Sequence, residues 1–234
     1  MDKSTAPSFG KSLTMKLGLA LGMVILAQSP AWAQSQGSWF ASVGATSLHP
    51  SVSSGDLSAP SLANTKVDVN SDTQPTLILN YMVTDHWSLS VPLGAGFKHN
   101  ITGAGAIAGT GVLGTTKVLP ITALLQYRLG QSNELFRPYL GVGVTYAKFY
   151  DTNGTGNLTG LTNPGSSNAT TLSIDSKWAA TFQAGVTYAF TERVYLDLNL
   201  TKTILSTDSH LSTGQSISIG LDPMTYSVGL GYRF

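Results

Sequence analysis

Residues 87–98 alternate without interruption. The odd positions are Trp87, Leu89, Val91, Leu93, Ala95 and Phe97, and the even ones are Ser88, Ser90, Pro92, Gly94, Gly96 and Lys98. Successive side chains of a strand point to opposite faces, so this segment has one apolar face and one small polar face. The pattern returns five times. Leu119, Ile121, Ala123, Leu125 and Tyr127 alternate with Pro120, Thr122, Leu124, Gln126 and Arg128. Similar runs cover residues 139–146, 180–188, 194–201 and 224–234, each with Val, Leu, Tyr or Phe on one parity and Gly, Thr, Ser or Asn on the other. Two weaker strands, 38–48 and 74–83, bring the expected number to eight; Ile78 and Met82 blur the second of them.

The links between these strands are short at 84–86, 129–136 and 191–193. They are long at about 49–72, 99–117, 151–175 and 206–220, and the two kinds alternate strictly. The long ones hold most of the Gly, Asn, Ser and Thr. Only 11% of residues are charged, against about 25% in an average soluble domain. A closed β-barrel satisfies every backbone group in lipid without a long apolar helix. An even number of strands of about ten residues, with long loops at one end and short turns at the other, is its pattern in bacterial outer membranes. The expected fold is therefore all-β: an eight-stranded antiparallel up-and-down transmembrane barrel with long extracellular loops and short periplasmic turns.

A soluble secreted barrel of lipocalin type would show the same periodicity with its apolar face inward. Two features favour the membrane. The polar face is small and almost uncharged, where a soluble barrel would carry Lys and Glu. Aromatics also gather at strand ends: Trp39, Phe40, Tyr81, Trp87, Tyr127, Phe136, Tyr188, Phe190, Tyr232 and Phe234 towards one rim, and Phe97, Tyr146, Phe149, Tyr150, Trp178 and Tyr226 towards the other. Two interfaces call for two aromatic girdles.

Residues 1–33 read as an address. Lys3, Lys11 and Lys16 precede an 11-residue apolar run at 17–27, and Ala31-Trp32-Ala33 gives a small-x-small cleavage pattern before Gln34. This is the layout of a secretory signal peptide, and the run is about half the length of a membrane-spanning helix. A start at Met15 would make the basic region conventional. The barrel is then expected over 34–234. Loss of the leader takes the formal charge from +1 to −1.

Other classes are poorly served. There is no basic cluster to meet nucleic acid. The absence of cysteine removes disulfides, thiolate nucleophiles and Cys-rich metal sites. His49, His86, His99 and His210 have no metal-ligand spacing, and no Ser–His–acid set is placed for catalysis. No cofactor and no enzymatic activity are expected. On inward parity Asp197, Arg128 and Arg233 suggest a plug of paired charges, because buried charge must be paired.

The C-terminus reads Leu221-Asp222-Pro223-Met224-Thr225-Tyr226-Ser227-Val228-Gly229-Leu230-Gly231-Tyr232-Arg233-Phe234. It resembles the DP-x-x-Y-x-x-GLGYRF ending of the OmpW family of Gram-negative outer-membrane proteins, to which the AlkL-type hydrocarbon importers belong. Tyr81-Met82-Val83-Thr84-Asp85, residues 137–146 (RPYLGVGVTY) and residues 183–188 (QAGVTY) match that family in order and spacing. The resemblance implies an outer-membrane barrel with a narrow hydrophobic passage. Passive uptake of small apolar molecules, with sideways release into the bilayer, is its implied function. The implied partners are the bilayer and lipopolysaccharide, small apolar solutes, and the assembly machinery that reads Tyr232 and Phe234. The alternative is a plugged surface-interaction barrel whose loops bind a partner, phage or host surface.

Inward parity names Pro92, Thr122, Tyr139, Thr145, Thr181, Gln183, Tyr195, Asp197 and Asn199 as lumen residues; Pro92, Tyr139, Thr181 and Tyr195 are the channel-lining candidates. In the family a Trp opening the sixth strand stands at the constriction, and Trp178 matches it. Parity instead puts Trp178 on the lipid side with Phe182, and only a β-bulge would turn it inward. Its family partner on the third strand aligns to Pro92. A residue without an N–H at that position would ease a local gap between strands three and four.

Overall fold

The computed structural model describes residues 35–234; the leader expected at 1–33 lies outside the described residues. In chain order the elements are β1 (Trp39–His49), β2 (Ser53–Ser54), β3 (Thr65–Val69), β4 (Asp72–Met82), β5 (Trp87–Gly94), β6 (Phe97–Gly105), β7 (Val112–Arg128), β8 (Phe136–Gly154), α1 (Gly156–Thr162), β9 (Leu172–Ile174), β10 (Lys177–Ala189), β11 (Val194–Ile204), β12 (Ser206–Leu211), β13 (Ser216–Gly220) and β14 (Met224–Arg233).

Neighbours pair antiparallel all the way round. β14 closes against β1, with Phe40 opposite Arg233 and His49 opposite Met224. The barrel has eight staves, because β3 with β4 and β5 with β6 each run as one interrupted stave: β3 pairs β6 just as β4 pairs β5. The observed fold is thus the closed eight-stranded antiparallel barrel.

Period-2 patterning drives it. Leu89, Val91, Leu125, Val142, Phe182, Leu198 and Val228 all face outward and are exposed, while Ser88, Ser90, Gln126, Thr181 and Asp197 face inward and are buried. An apolar outer belt around a polar interior is stable in lipid. Three tight connections join the staves at one end. In two of them a threonine hydroxyl organises the turn: Thr84 Oγ1 accepts from the Trp87 amide at 3.0 Å, and Thr191 Oγ1 accepts from the Val194 amide at 2.9 Å. In the third, Gly130 takes a φ of +71°, a conformation costly for other residues.

Two expectations are corrected. The segment 99–117 is mostly strand, because β6 and β7 continue outward to a turn at 106–111 and β8 rises with β7 as far as Gly154. In this stretch the buried, inward residues include Ile101, Leu113 and Val118, so the apolar parity that marks lipid contact is lost. The other long links also fold: β12 and β13 form a hairpin that pairs with β9 on one side and β2 on the other. Secondly, Phe40, Phe97 and Phe149 are not girdle residues. Phe40 and Phe97 are buried inside the barrel, and Phe149 packs against the same inner cluster as Phe97.

Candidate functional site

The lumen has two halves of opposite character. At the turn end it is filled. Arg128 and Tyr195 are both 0% exposed. The Arg128 guanidinium lies 4.7 Å from the Phe40 ring centre and 4.6 Å from that of Tyr139. It donates to Ser88 Oγ at 3.0 Å and Gln126 Oε1 at 2.8 Å. The Tyr139 hydroxyl donates to the Asp197 carboxylate at 3.1 Å, and Asn199 Nδ2 donates to the same group at 2.9 Å. Gln126 Nε2 donates to Gln183 Oε1 at 2.7 Å, closing the network across the barrel. Phe40, Met82 and Tyr195 pack as an apolar base, and Arg233 lies 5.1 Å from the Tyr195 ring centre. A buried charge is tolerated only when paired and hydrogen-bonded; here Arg128 and Asp197 meet through Tyr139.

Above this plug the lumen opens. The space is about 1310 Å³, open solvent at its mouths included, and Leu48, Ile78, Phe97, Val118, Leu124 and Leu205 line it. Four threonines of its wall satisfy one another. Thr122 and Thr145 lie 2.8 Å apart, Thr145 and Thr181 2.6 Å, and Thr181 and Thr203 3.3 Å. This hydroxyl chain crosses four staves, so these polar groups need no partner from a solute.

The wall beside this cavity is incomplete. Pairing between the third and fourth staves runs from Trp87 opposite Tyr127 to Ser90 opposite Leu124, then resumes at Phe97 opposite Val118. Residues 91–96 and 119–123 face one another without ladder pairing. Each remains paired on its other side: β5 to β4 as far as Gly94, and β7 to β8 throughout this stretch. One proline stands on each edge, Pro92 and Pro120, and neither has an N–H to offer a ladder. The cavity reaches both edges, since Leu93, Ala95, Leu119 and Pro120 belong to its lining. Tyr150 of β8 reaches across β7 and lies against Gly96, where any Cβ would run into its ring.

Of the residues singled out by sequence, Pro92 lines the cavity at the gap. Thr181 belongs to the hydroxyl chain, and Tyr139 and Tyr195 belong to the plug. Trp178 does not reach the lumen. It is 72% exposed on the outer wall, with its ring 5.0 Å from that of Tyr146, and no bulge interrupts its pairing with β8. Trp178 thus stands on the outer face, where parity places it, and not at a constriction of the lumen. Tyr232 and Phe234 lie exposed at the turn-end rim, 5.4 Å apart. Sequence reasoning missed Leu48, Ile78, Val118 and Leu124. Their signal was present as apolar residues on the inward parity.

These features define an eight-stranded outer-membrane β-barrel with an apolar upper lumen closed towards the periplasm. The chain belongs to the OmpW family, whose model matches residues 35–234. It is 32% identical to outer membrane protein W of Vibrio cholerae serotype O1, over 93% of this chain and 97% of that protein. The crystal structure of OprG from Pseudomonas aeruginosa superposes with a TM-score of 0.78 at 26% identity, covering 87% of this chain and 98% of that one. The solid-state NMR structure of AlkL in lipid bilayers gives 0.66 at 25% identity, covering 91% and 97%. Membership places this chain in the outer membrane of a Gram-negative bacterium.

Proposed function

We propose that this protein is a passive route by which small hydrophobic molecules cross the outer leaflet and leave sideways into the bilayer. One observation carries the reading: the apolar upper cavity is closed below by the Arg128–Tyr139–Asp197 plug and borders the unpaired wall between residues 91–96 and 119–123. A solute in the cavity finds no straight exit, while the gap leads towards lipid. The driving force is burial of apolar surface, about 25 cal/mol per Å², together with the concentration gradient. No cofactor or energy source enters. An eight-stranded barrel has room for side chains or one small ligand, so a wide aqueous pore is outside its range.

The partners follow from this role: lipopolysaccharide around the outer rim, small apolar solutes in the lumen, and the assembly machinery at Tyr232 and Phe234. A second reading, a plugged barrel whose loops bind a partner, phage or host surface, draws on the lumen half filled by Asp197, Arg128, Gln126 and Tyr195. Uptake of a naphthalene-like dye separates them. Cells carrying the chain should take up the dye faster than cells without it. Equal rates, with the protein folded and surface-exposed, would favour the surface-interaction barrel.

A further inference from the structure

Three lysines stand together on the outer wall. Lys98 of β6 lies directly opposite Lys117 of β7. Lys148 of β8 lies opposite Leu119, two residues along β7 from Lys117. Their chain neighbours Phe97, Val118 and Ala147 are buried inside, so all three lysines take the outward face. Side chains directly opposite one another have Cβ atoms about 5 Å apart, and like charges so placed repel. Asp151 answers one of them, 2.8 Å from Lys117, while Asp72 takes only the backbone amide of Lys98, at 2.7 Å. Lysines elsewhere are satisfied within the protein: Lys66 by Asp56 at 3.2 Å, Lys177 by Asp208 at 3.0 Å, and Lys202 by the Asp222 carbonyl. Among the described residues, the ammonium groups of Lys98 and Lys148 are the two with no hydrogen bond or ion pair.

The patch sits at a defined height. On β8, Tyr146 lies ten positions beyond Phe136, which is exposed at the turn-end rim. At about 3.3 Å per residue and a tilt of about 40°, the two are about 25 Å apart along the barrel axis, the height of an apolar band. Tyr146 and its neighbour Trp178 therefore mark the outer interface. Lys148, the next outward residue on β8, stands at the level of the outer-leaflet headgroups, which in a Gram-negative outer membrane are those of phosphorylated lipopolysaccharide. The lysines also have a fixed relation to the gap. Pairing resumes above it at Phe97 opposite Val118, and Lys98 with Lys117 is the next rung.

We propose that Lys98, Lys117 and Lys148 form a binding site for a phosphate group of one lipopolysaccharide molecule, at the upper end of the gap in the wall. Charge-assisted bonds from ammonium groups to phosphate are among the strong ones, and an anion between Lys98 and Lys117 turns their repulsion into attraction. It also ties the two edges of the gap together at its top. The lipid's acyl chains then run down the apolar outer face of residues 91–96 and 119–123, an anchorage that a free anion lacks. The site depends on the outer-membrane location and not on the uptake reading, so either can fail alone.

Residues 34–234 hold six lysines, so selective lysine amide labelling of this chain in phosphatidylcholine nanodiscs gives a short NMR spectrum in which to test the site. Added bis-phosphorylated lipid A should shift the signals of Lys98, Lys117 and Lys148 and leave those of Lys66, Lys177 and Lys202 in place. Lipid A stripped of its phosphates should shift none of the three, and neither should inorganic phosphate at the same concentration. Lys98→Gln combined with Lys148→Gln should weaken binding, read at Lys117, by about tenfold; Lys148→Gln alone, with a smaller loss, serves if the pair fails to fold. Equal shifts with the dephosphorylated lipid would overturn phosphate recognition. Shifts with inorganic phosphate alone would overturn the lipid as its source. Shifts spread evenly over all six lysines, or none at all, would overturn the site.

Discussion

Tyr195 stands directly opposite Gly231 across the β11–β14 ladder, and its ring occupies the space a Gly231 side chain would need. Tyr139 and Gly185 repeat the arrangement between β8 and β10. The plug is thus built from pairs, a tyrosine folded inward and a glycine that yields room. Gly231→Ala should lower stability by about 1–3 kcal/mol, the usual cost of overpacking. Gly229→Ala, two residues away, where an added Cβ would meet nothing nearer than the Val43 carbonyl oxygen at 3.3 Å, should cost less. Urea unfolding of the two variants in the same bilayer checks this; equal losses would mean that the Tyr195 ring can shift freely.

The plug predicts electrical silence. With Arg128, Tyr139, Tyr195 and Asp197 filling the periplasmic half, the wild type should pass no steady ion current across a planar bilayer. Tyr139→Ala combined with Tyr195→Ala removes both rings and should produce one. Replacing Arg128 alone by Leu would leave Asp197 buried without its cation and should cost about 3–5 kcal/mol of stability. A steady wild-type current would show that the lumen is open.

Trp178 belongs to the lipid-facing girdle beside Tyr146. Trp178→Ala should therefore leave solute uptake unchanged while the folded barrel persists. Val118→Trp, which fills the lumen cavity from a lining position, should slow uptake strongly. A severalfold loss of uptake in Trp178→Ala would return that residue to the route.

The β12–β13 hairpin carries a pH response confined to acid. Ser218 donates to Asp208 at 2.6 Å and Lys177 at 3.0 Å, and these bonds hold the Asp208 carboxyl below its ordinary value of 3.8. A carboxyl with a depressed value contributes stability above its unfolded-state value, and loses that contribution as pH falls through the folded-state one. Amide exchange across 206–220, corrected for intrinsic rates, should be the same at pH 7 and pH 5 and rise only below about pH 4. A rise between pH 7 and pH 5 would contradict the assignment to Asp208.

The barrel was legible because lipid on one side and a polar lumen on the other impose a period of two on every stave. Where that period blurred, the site was being written. The weak alternation of 38–48 arises because Phe40 and Leu48 point inward, one into the plug and one into the upper cavity. Ile78 and Met82 blur the next strand for the same two reasons. The gap was half legible: Pro92 marked one edge, while Pro120 passed as an ordinary inward residue. The folding of the long links was not legible, because it brings together Leu57, Ile107, Leu158 and Leu211 from four segments distant in sequence. The girdle assignment failed at Phe40, Phe97 and Phe149 because nearness to a strand end does not fix which face a residue takes.

The central claim is that solute leaves through the wall between residues 91–96 and 119–123. The chain has no cysteine, so Leu93→Cys with Leu119→Cys gives a unique thiol pair, one on each edge of the gap. A short, reducible thiol–thiol cross-linker would bridge it in intact cells. Naphthalene-dye uptake should fall to the level of cells lacking the protein and recover when the bridge is reduced, while each single cysteine variant treated alike stays active. Uptake that continues at the wild-type rate with the gap bridged would contradict lateral exit.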